Sequence, residues 1–366
     1  MQRPSQRTIT PIWPEVVIGT ENRDGGGVTS TNADAPSIGE LGEFGLIAAM
    51  AERLAPGPGT LVGIGDDAAV LAAPDGRVVA TTDFLLEGRH FRRDWAGPAD
   101  IGHRAAVRSL ADVAAMGAYP TALLVAFAAP PALSSAWALE LSAGLAAEAA
   151  RAGATVAGGD TARFDVVLLA VTGLGDLRGA RPVTRSGARP GDVVAVAGPL
   201  GHSAAGLALL AAGHGELALL AAGHREPAAL VAAHLRPAPP YDAGPEAARL
   251  GATALMDVSD GLLADLGHIA RASGVAIDVH PTALDPTPLI PAAELLTARP
   301  PQAPQAPQTP LEWMLTGGED HSLVAAFPAG VALPPRWRVI GEVRGGQGVL
   351  VDGRPHAGPG GWEHFP

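Results

Sequence analysis

Cysteine is absent from this 366-residue chain, and so is lysine: all 25 basic residues are arginine. Without cysteine there is no disulfide, no thiolate metal site and no thiol nucleophile. Without lysine there is no phosphate-loop lysine, no protein-kinase strand lysine and no Schiff-base cofactor. Phosphate, if handled at all, falls to metal ions, backbone N–H groups and arginine. Long apolar runs are missing too. The most apolar stretch, 203–233, is interrupted by His, Gly, Glu, Arg and Pro, which argues against a membrane-spanning helix. Positive charge is scarce: 25 basic against 37 acidic residues, net charge -12. That argues against a nucleic-acid footprint. Residues 1–37 are polar and rich in Gly and Pro, without the apolar core of a signal peptide. A cytoplasmic protein with neither a membrane nor a nucleic acid as partner is expected.

What is present is a set of acidic motifs hedged by small residues. They are Asp66-Asp67, Thr81-Thr82-Asp83, Asp112, Gly158-Gly159-Asp160, Asp257-Val258-Ser259-Asp260 and Gly318-Glu319-Asp320. Small neighbours let a ligand approach the backbone. Carboxylates held at strand ends suit a hard cation such as Mg²⁺, which takes oxygen ligands and shares them with phosphates. Each motif alone has a plainer reading as a turn or a cap. Ser259 or Asp260 is expected to be the N-cap of a helix carrying Leu262, Leu263, Leu266 and Ile269 on one face. Arg185 fits a phosphate clamp or a solvated loop arginine. His90 and Glu319 mean little alone.

The length suggests about two domains. Residues 1–37 read as a disordered leader, and order is expected from Ile38. Helices are expected over 99–116 and 134–152, with strands over 77–82, 121–128, 154–157 and 166–172. On this reading Asp83 ends its strand, and the strand over 154–157 runs into Gly158-Gly159-Asp160, whose plainer reading is a tight turn. Arg189-Pro190-Gly191 marks a boundary between a first domain (38–180) and a second (190–366). Residues 207–226 hold a tandem repeat, LALLAAGHGE then LALLAAGHRE, and 299–310 are a Pro/Gln-rich insert. Neighbouring strands alternate with long helices, which fits an α+β arrangement better than a doubly wound sheet.

Taken in order, seven motifs resemble those of the thiamine-monophosphate kinase family. They are Gly63-Ile64-Gly65-Asp66-Asp67-Ala68, Thr81-Thr82-Asp83 through His90, Ala111-Asp112-Val113, Gly158-Gly159-Asp160-Thr161, Arg185-Ser186-Gly187, Asp257-Val258-Ser259-Asp260-Gly261 and Thr316-Gly317-Gly318-Glu319-Asp320. The resemblance implies an α/β domain that binds ATP and metal and forms a sheet with its twin in a homodimer, followed by an α+β sandwich. It implies ATP-dependent, Mg²⁺-assisted phosphoryl transfer to thiamine monophosphate, with several ions and no general base. By motif, Asp67, Thr81, Thr82, Asp83, Asp112, Asp160, Asp257 and Asp260 would be metal ligands. Gly159, Asp160, Arg185 and Ser259 would contact ATP, and His90, Glu319 and Trp362 the thiamine substrate. Many members carry an aromatic residue near 141–144 to stack on adenine; here the stretch is Leu141-Ser142-Ala143-Gly144. The alternatives are another ATP-dependent enzyme of the wider superfamily, or a non-catalytic nucleotide- or metal-binding relative.

Overall fold

The computed structural model describes residues 35–366, except 55, 65–67, 299–307, 357–359 and 363–366. The contacts divide the chain into Met1–Ala33, which lies outside the described residues, and Asp34–Pro366. Asp66 and Asp67, and most of the Pro/Gln-rich insert, also lie outside them.

Two short helices, α1 (Ile38–Leu41) and α2 (Glu43–Ala51), precede a hairpin of β1 (Thr60–Val62) and β2 (Val70–Leu71). Then come β3 (Val79–Leu86), α3 (Pro98–Ala115), β4 (Tyr119–Ala129), α4 (Ser135–Arg151), β5 (Thr155–Arg163) and β6 (Leu168–Asp176). These four strands form one sheet in the order β3-β6-β4-β5, parallel only between β4 and β5. Its inner face packs on α3, and α3 packs on α4. The two helices cross closely: a Cβ on Gly144 would stand 2.0 Å from the Ala99 carbonyl oxygen. An alanine there would force the pair apart.

The second sheet begins with β7 (Val193–Ala197), followed by α5 (His202–Ala211), α6 (Glu216–Ala221), α7 (Arg225–Leu235), α8 (Ala243–Arg249), β8 (Ala254–Val258), α9 (Leu262–Ser273) and β9 (Ala276–Val279). It ends with α10 (Ile290–Ala298), α11 (Pro310–Thr316), β10 (Ser322–Phe327), β11 (Trp337–Arg344), β12 (Gly348–Val351) and β13 (Arg354–Pro355). Its seven strands run β13-β12-β9-β11-β7-β10-β8, antiparallel except β12 with β9. The tandem repeat spans the end of α5, all of α6 and the start of α7. The architecture is mixed α and β around two sheets, as expected. No described helix is long and apolar enough to cross a membrane.

Several local expectations need correction. β3 runs on to Leu86, so Asp83 lies inside the strand and not at its end. Gly158-Gly159-Asp160 is part of β5, not a turn. The N-cap of α9 is Gly261, with no side-chain cap of its own. Asp265, inside the helix, supplies the missing acceptor instead. Its Oδ2 receives the backbone N–H groups of Ser259, Asp260 and Gly261 at 3.0, 3.2 and 3.1 Å.

The edges of the leader and of the insert also shift. Ser37 caps α1 in a reciprocal box with Glu40, and the Pro36 carbonyl accepts from Ser135 N at 2.9 Å. Thr309 and Glu312 form the same kind of box at the start of α11. Deletions of 1–33 or 301–307 spare all of these caps. They are expected to leave thermal midpoint and turnover unchanged. Cuts extended through Ser37 or Thr309 should each lower stability by about 1 kcal/mol, measured by denaturant titration.

Candidate active site

The site is organised by α3. Arg104, Arg108 and Asp112 recur at four-residue spacing, so they share one helix face. Opposite them β3 alternates: Thr81 and Asp83 turn toward α3, and Thr82 turns to the other side of the sheet. Thr81 Oγ1 donates to Asp112 Oδ2 at 2.7 Å. The Ser109 hydroxyl lies 2.9 Å from Asp83 Oδ2 and 2.8 Å from the Val171 carbonyl. From the second sheet β8 brings in Asp257, buried and 3.1 Å from His321 Nδ1. Three carboxylates thus gather where the two sheets meet. Asp112 is pushed up to about 7, first by burial and then by the charges of Asp257 and Asp83. Such a cluster favours a cation.

Asp160 and Thr82 do not join this group. The register aligns Asp160 with Ala126, Ala170 and Phe84, on the face of the sheet away from α3. Thr82 Oγ1 instead accepts from Thr172 Oγ1 at 3.2 Å. Of the two threonines, Thr81 alone reaches the carboxylate cluster through its side chain.

Glu319 has positive φ, +67°, and its carboxylate is braced by two arginines. Arg104 Nη2 donates to Oε2 at 2.9 Å and Arg108 Nη1 to Oε1. Burial works against the charge, but the guanidinium groups of Arg108 and Arg104 outweigh it and hold the carboxyl well below its usual range. Glu319 N also donates to Ser259 O at 2.8 Å, and Trp362 N to Asp260 O at 2.9 Å. The loops at 259–261, 317–321 and 361–362 are thereby tied together. His90, Glu319 and Trp362, remote in sequence, all line one cleft of about 570 Å³ with Ser259 and Asp260. Arg89 lies over the Trp362 ring, 4.9 Å from its centroid. His90 Nδ1 accepts from Leu86 N at 3.0 Å, so the ring proton is on Nε2.

A second, apolar cavity of about 90 Å³ opens beside Gly159 and Asp160, walled by Met50, Val125, Phe127, Leu141 and Leu145. Only glycine fits at 159, where a Cβ would stand 2.0 Å from the Val125 carbonyl oxygen. Arg185 lines neither cavity. Its charge acts on His268 of α9, whose pKa is lowered by burial and then by Arg185 and Arg271.

Sequence reasoning missed Arg104, Arg108, Ser109, Asp265 and His321 as parts of this region. Asp265 had a signal, since it shares the buried helix face of Leu262, Leu266 and Ile269. Its replacement by leucine would strand three backbone N–H groups. A loss of about 1–3 kcal/mol is expected in denaturant titration, with a larger fractional loss of turnover because Ser259 and Asp260 lose their register.

The carboxylate cluster beside a roomy cleft, on this pair of sheets, agrees with a protein of the AIR synthase-related class. Consistent with that, residues 65–177 match the family described as AIR synthase related protein, N-terminal domain. The chain is 44% identical over 341 residues to thiamine-monophosphate kinase of Mycobacterium tuberculosis, covering 92% of this chain and 95% of that one. The crystal structure of thiamine-monophosphate kinase from Stenotrophomonas maltophilia K279a superposes with a TM-score of 0.70 at 35% identity, over 85% of this chain and 96% of that one. A structure of AaThiL complexed with AMPPCP and TMP gives 0.68 at 32% identity, over 89% and 98%. This chain belongs to the thiamine-monophosphate kinase family.

Proposed function

We infer that this chain is a thiamine-monophosphate kinase that transfers the γ-phosphoryl group of ATP to thiamine monophosphate in the cleft lined by His90, Glu319 and Trp362. The convergence of those three residues beside the Asp83, Asp112 and Asp257 cluster carries the reading. The acceptor is a phosphate oxygen, already ionised at neutral pH, so positioning and charge neutralisation are the main tasks.

Asp83, Asp112 and Asp257, with Thr81 and Asp260, are the residues we assign to Mg²⁺. The donor set fits: all are oxygen ligands, and the cluster strains against its own charge. Among the described residues no three side chains enclose an ion by themselves. Mg²⁺ bound there would neutralise phosphate charge and align the attacking and leaving oxygens. Asp67 is assigned to the same set from its motif alone. Ser259, at the turn held by Asp265, is the residue we assign to the nucleotide phosphates. The apolar cavity beside Gly159 suits adenine, held by the Leu141 and Leu145 side chains.

We also assign a homodimer and a cytoplasmic location. Phe84 on the outer face of the first sheet is 58% exposed, Phe164 just past β5 48%, and Leu61 and Val70 of the separate β1–β2 hairpin 66 and 48%. An apolar area of this kind supports burial against a second copy. Phe84→Asp should shift the chain from dimer to monomer in size-exclusion chromatography with light scattering. A monomeric wild type would overturn the assignment. The activity itself is tested by ADP release with thiamine monophosphate, thiamine and aminoimidazole precursors. Release with an aminoimidazole precursor alone would place the chain with a different substrate of the superfamily.

A further inference from the structure

One wall of the cleft holds a chain of buried polar side chains, of which only Arg104 has been used so far, as a brace for Glu319. Arg104 Nη1 stands 3.3 Å from His234 Nε2, and His234 Nδ1 stands 2.9 Å from Ser203 Oγ. Ser203 and His234 are 1% and 5% exposed, and Arg104, His234 and Ser203 all line the cleft. Their donor and acceptor roles follow from chemistry. A guanidinium has donors only, so His234 Nε2 must present a lone pair. Burial, then the charge of Arg104, hold the imidazole neutral, with its pKa lowered to about 3. Its single proton is therefore on Nδ1, donated to Ser203 Oγ. The Ser203 hydroxyl hydrogen must point elsewhere, and no protein acceptor for it occurs among the described hydrogen bonds. The Ser203 backbone is fixed as well, because its N–H donates to Asp320 Oδ1 at 2.8 Å. The side toward the cleft is what remains.

We propose that Ser203 is a specificity-determining residue, whose hydroxyl donates to a ring-nitrogen acceptor at the heteroaromatic end of the thiamine substrate. His234 and Arg104 are positioning residues that set the direction of that donor. The proposal rests on the kinase reading above. Beside Ser203 the wall continues with Ala204 and Leu207 of α5 and Leu235 of α7. Apolar neighbours suit a flat ring better than a phosphate, which the loop at Ser259 and Asp260 would meet. Ring and donor together make the arrangement of a selective pocket: apolar walls with one fixed polar group.

The test combines protein variants with substrate analogues in which one pyrimidine nitrogen is replaced by CH. Turnover of thiamine monophosphate by the unmodified chain is read first, and its absence would overturn the kinase reading together with the proposal. With wild type active, Ser203→Ala should raise KM for thiamine monophosphate about tenfold, leaving kcat and KM for ATP unchanged. One of the two deaza analogues should lose a similar factor on wild type and nothing further on Ser203→Ala, because the two changes remove the same bond. His234→Phe should behave like Ser203→Ala. His234→Gln should recover most of the loss, since an amide can accept from Arg104 and donate to Ser203. Ser203→Cys, close in shape but a poor donor, serves if the alanine variant does not fold. An unchanged KM in these variants, or effects of variant and analogue that multiply in full, would overturn the role of Ser203 while leaving the kinase reading intact.

Discussion

Asp83→Asn should reduce turnover by about a thousandfold while leaving the protein folded. The substitution keeps the shape of the side chain and one oxygen for Ser109, whose hydroxyl lies 2.9 Å from Asp83 Oδ2. What it removes is one of three gathered negative charges. Asp112 is raised to about 7 by burial, by Asp257 and by Asp83, so the cluster repels itself in the absence of a cation. Thermal stability without Mg²⁺ should therefore stay level or rise, in the opposite sense to activity. A strained charge cluster that improves stability when dismantled is the behaviour of a site kept for function. Near-normal turnover at saturating Mg²⁺ would remove Asp83 from the site. A fall in melting temperature equal to that of a core truncation would show that the carboxylate serves the fold instead.

The sequence carried the larger architecture, and the reasons differ by element. Long helices such as α3 and α4 have caps, turns and periodic apolar faces, all local features. The sequence predicts a shorter β3 because Asp is depleted in strand interiors, so Thr-Thr-Asp reads as a strand end. In the fold, Asp83 is compatible with the strand interior because Ser109 of α3 meets it, a tertiary fact absent from any local window. The same holds for Gly158-Gly159, which read as a turn until β4 passes so close that only glycine fits at 159. The joining of His90, Glu319 and Trp362 followed from resemblance, since no spacing rule links positions so far apart. Arg104, His234 and Ser203 escaped notice for another reason. Alone, each is an ordinary residue on a helix, and their chemistry appears only when α3, α5 and α7 come together.

Thiamine monophosphate should be phosphorylated and free thiamine at least about a hundredfold more slowly. The acceptor oxygen of the monophosphate is ionised already, while the hydroxyl of thiamine needs a base. Three of the cleft's titratable side chains are engaged: His90 Nδ1 is taken by the Leu86 N–H, His234 Nε2 faces Arg104, and both oxygens of Glu319 are held by arginine. That last contact also sharpens what Glu319 does. Beside a cationic thiazolium, a free carboxylate would attract by its full charge, but here it first offsets two guanidinium groups. Arg104 is 3% exposed, so Glu319→Gln leaves a buried cation poorly paired, a change that destabilises. The same substitution makes the wall more positive toward a cationic ring. KM for thiamine monophosphate should rise about tenfold, KM for ATP should change little, and the melting temperature should fall. Equal shifts in both constants would assign Glu319 to general support of the cleft. Thiamine turned over as fast as its monophosphate would mean that a base operates here after all, and the first side chains to test would be those of the carboxylate cluster itself.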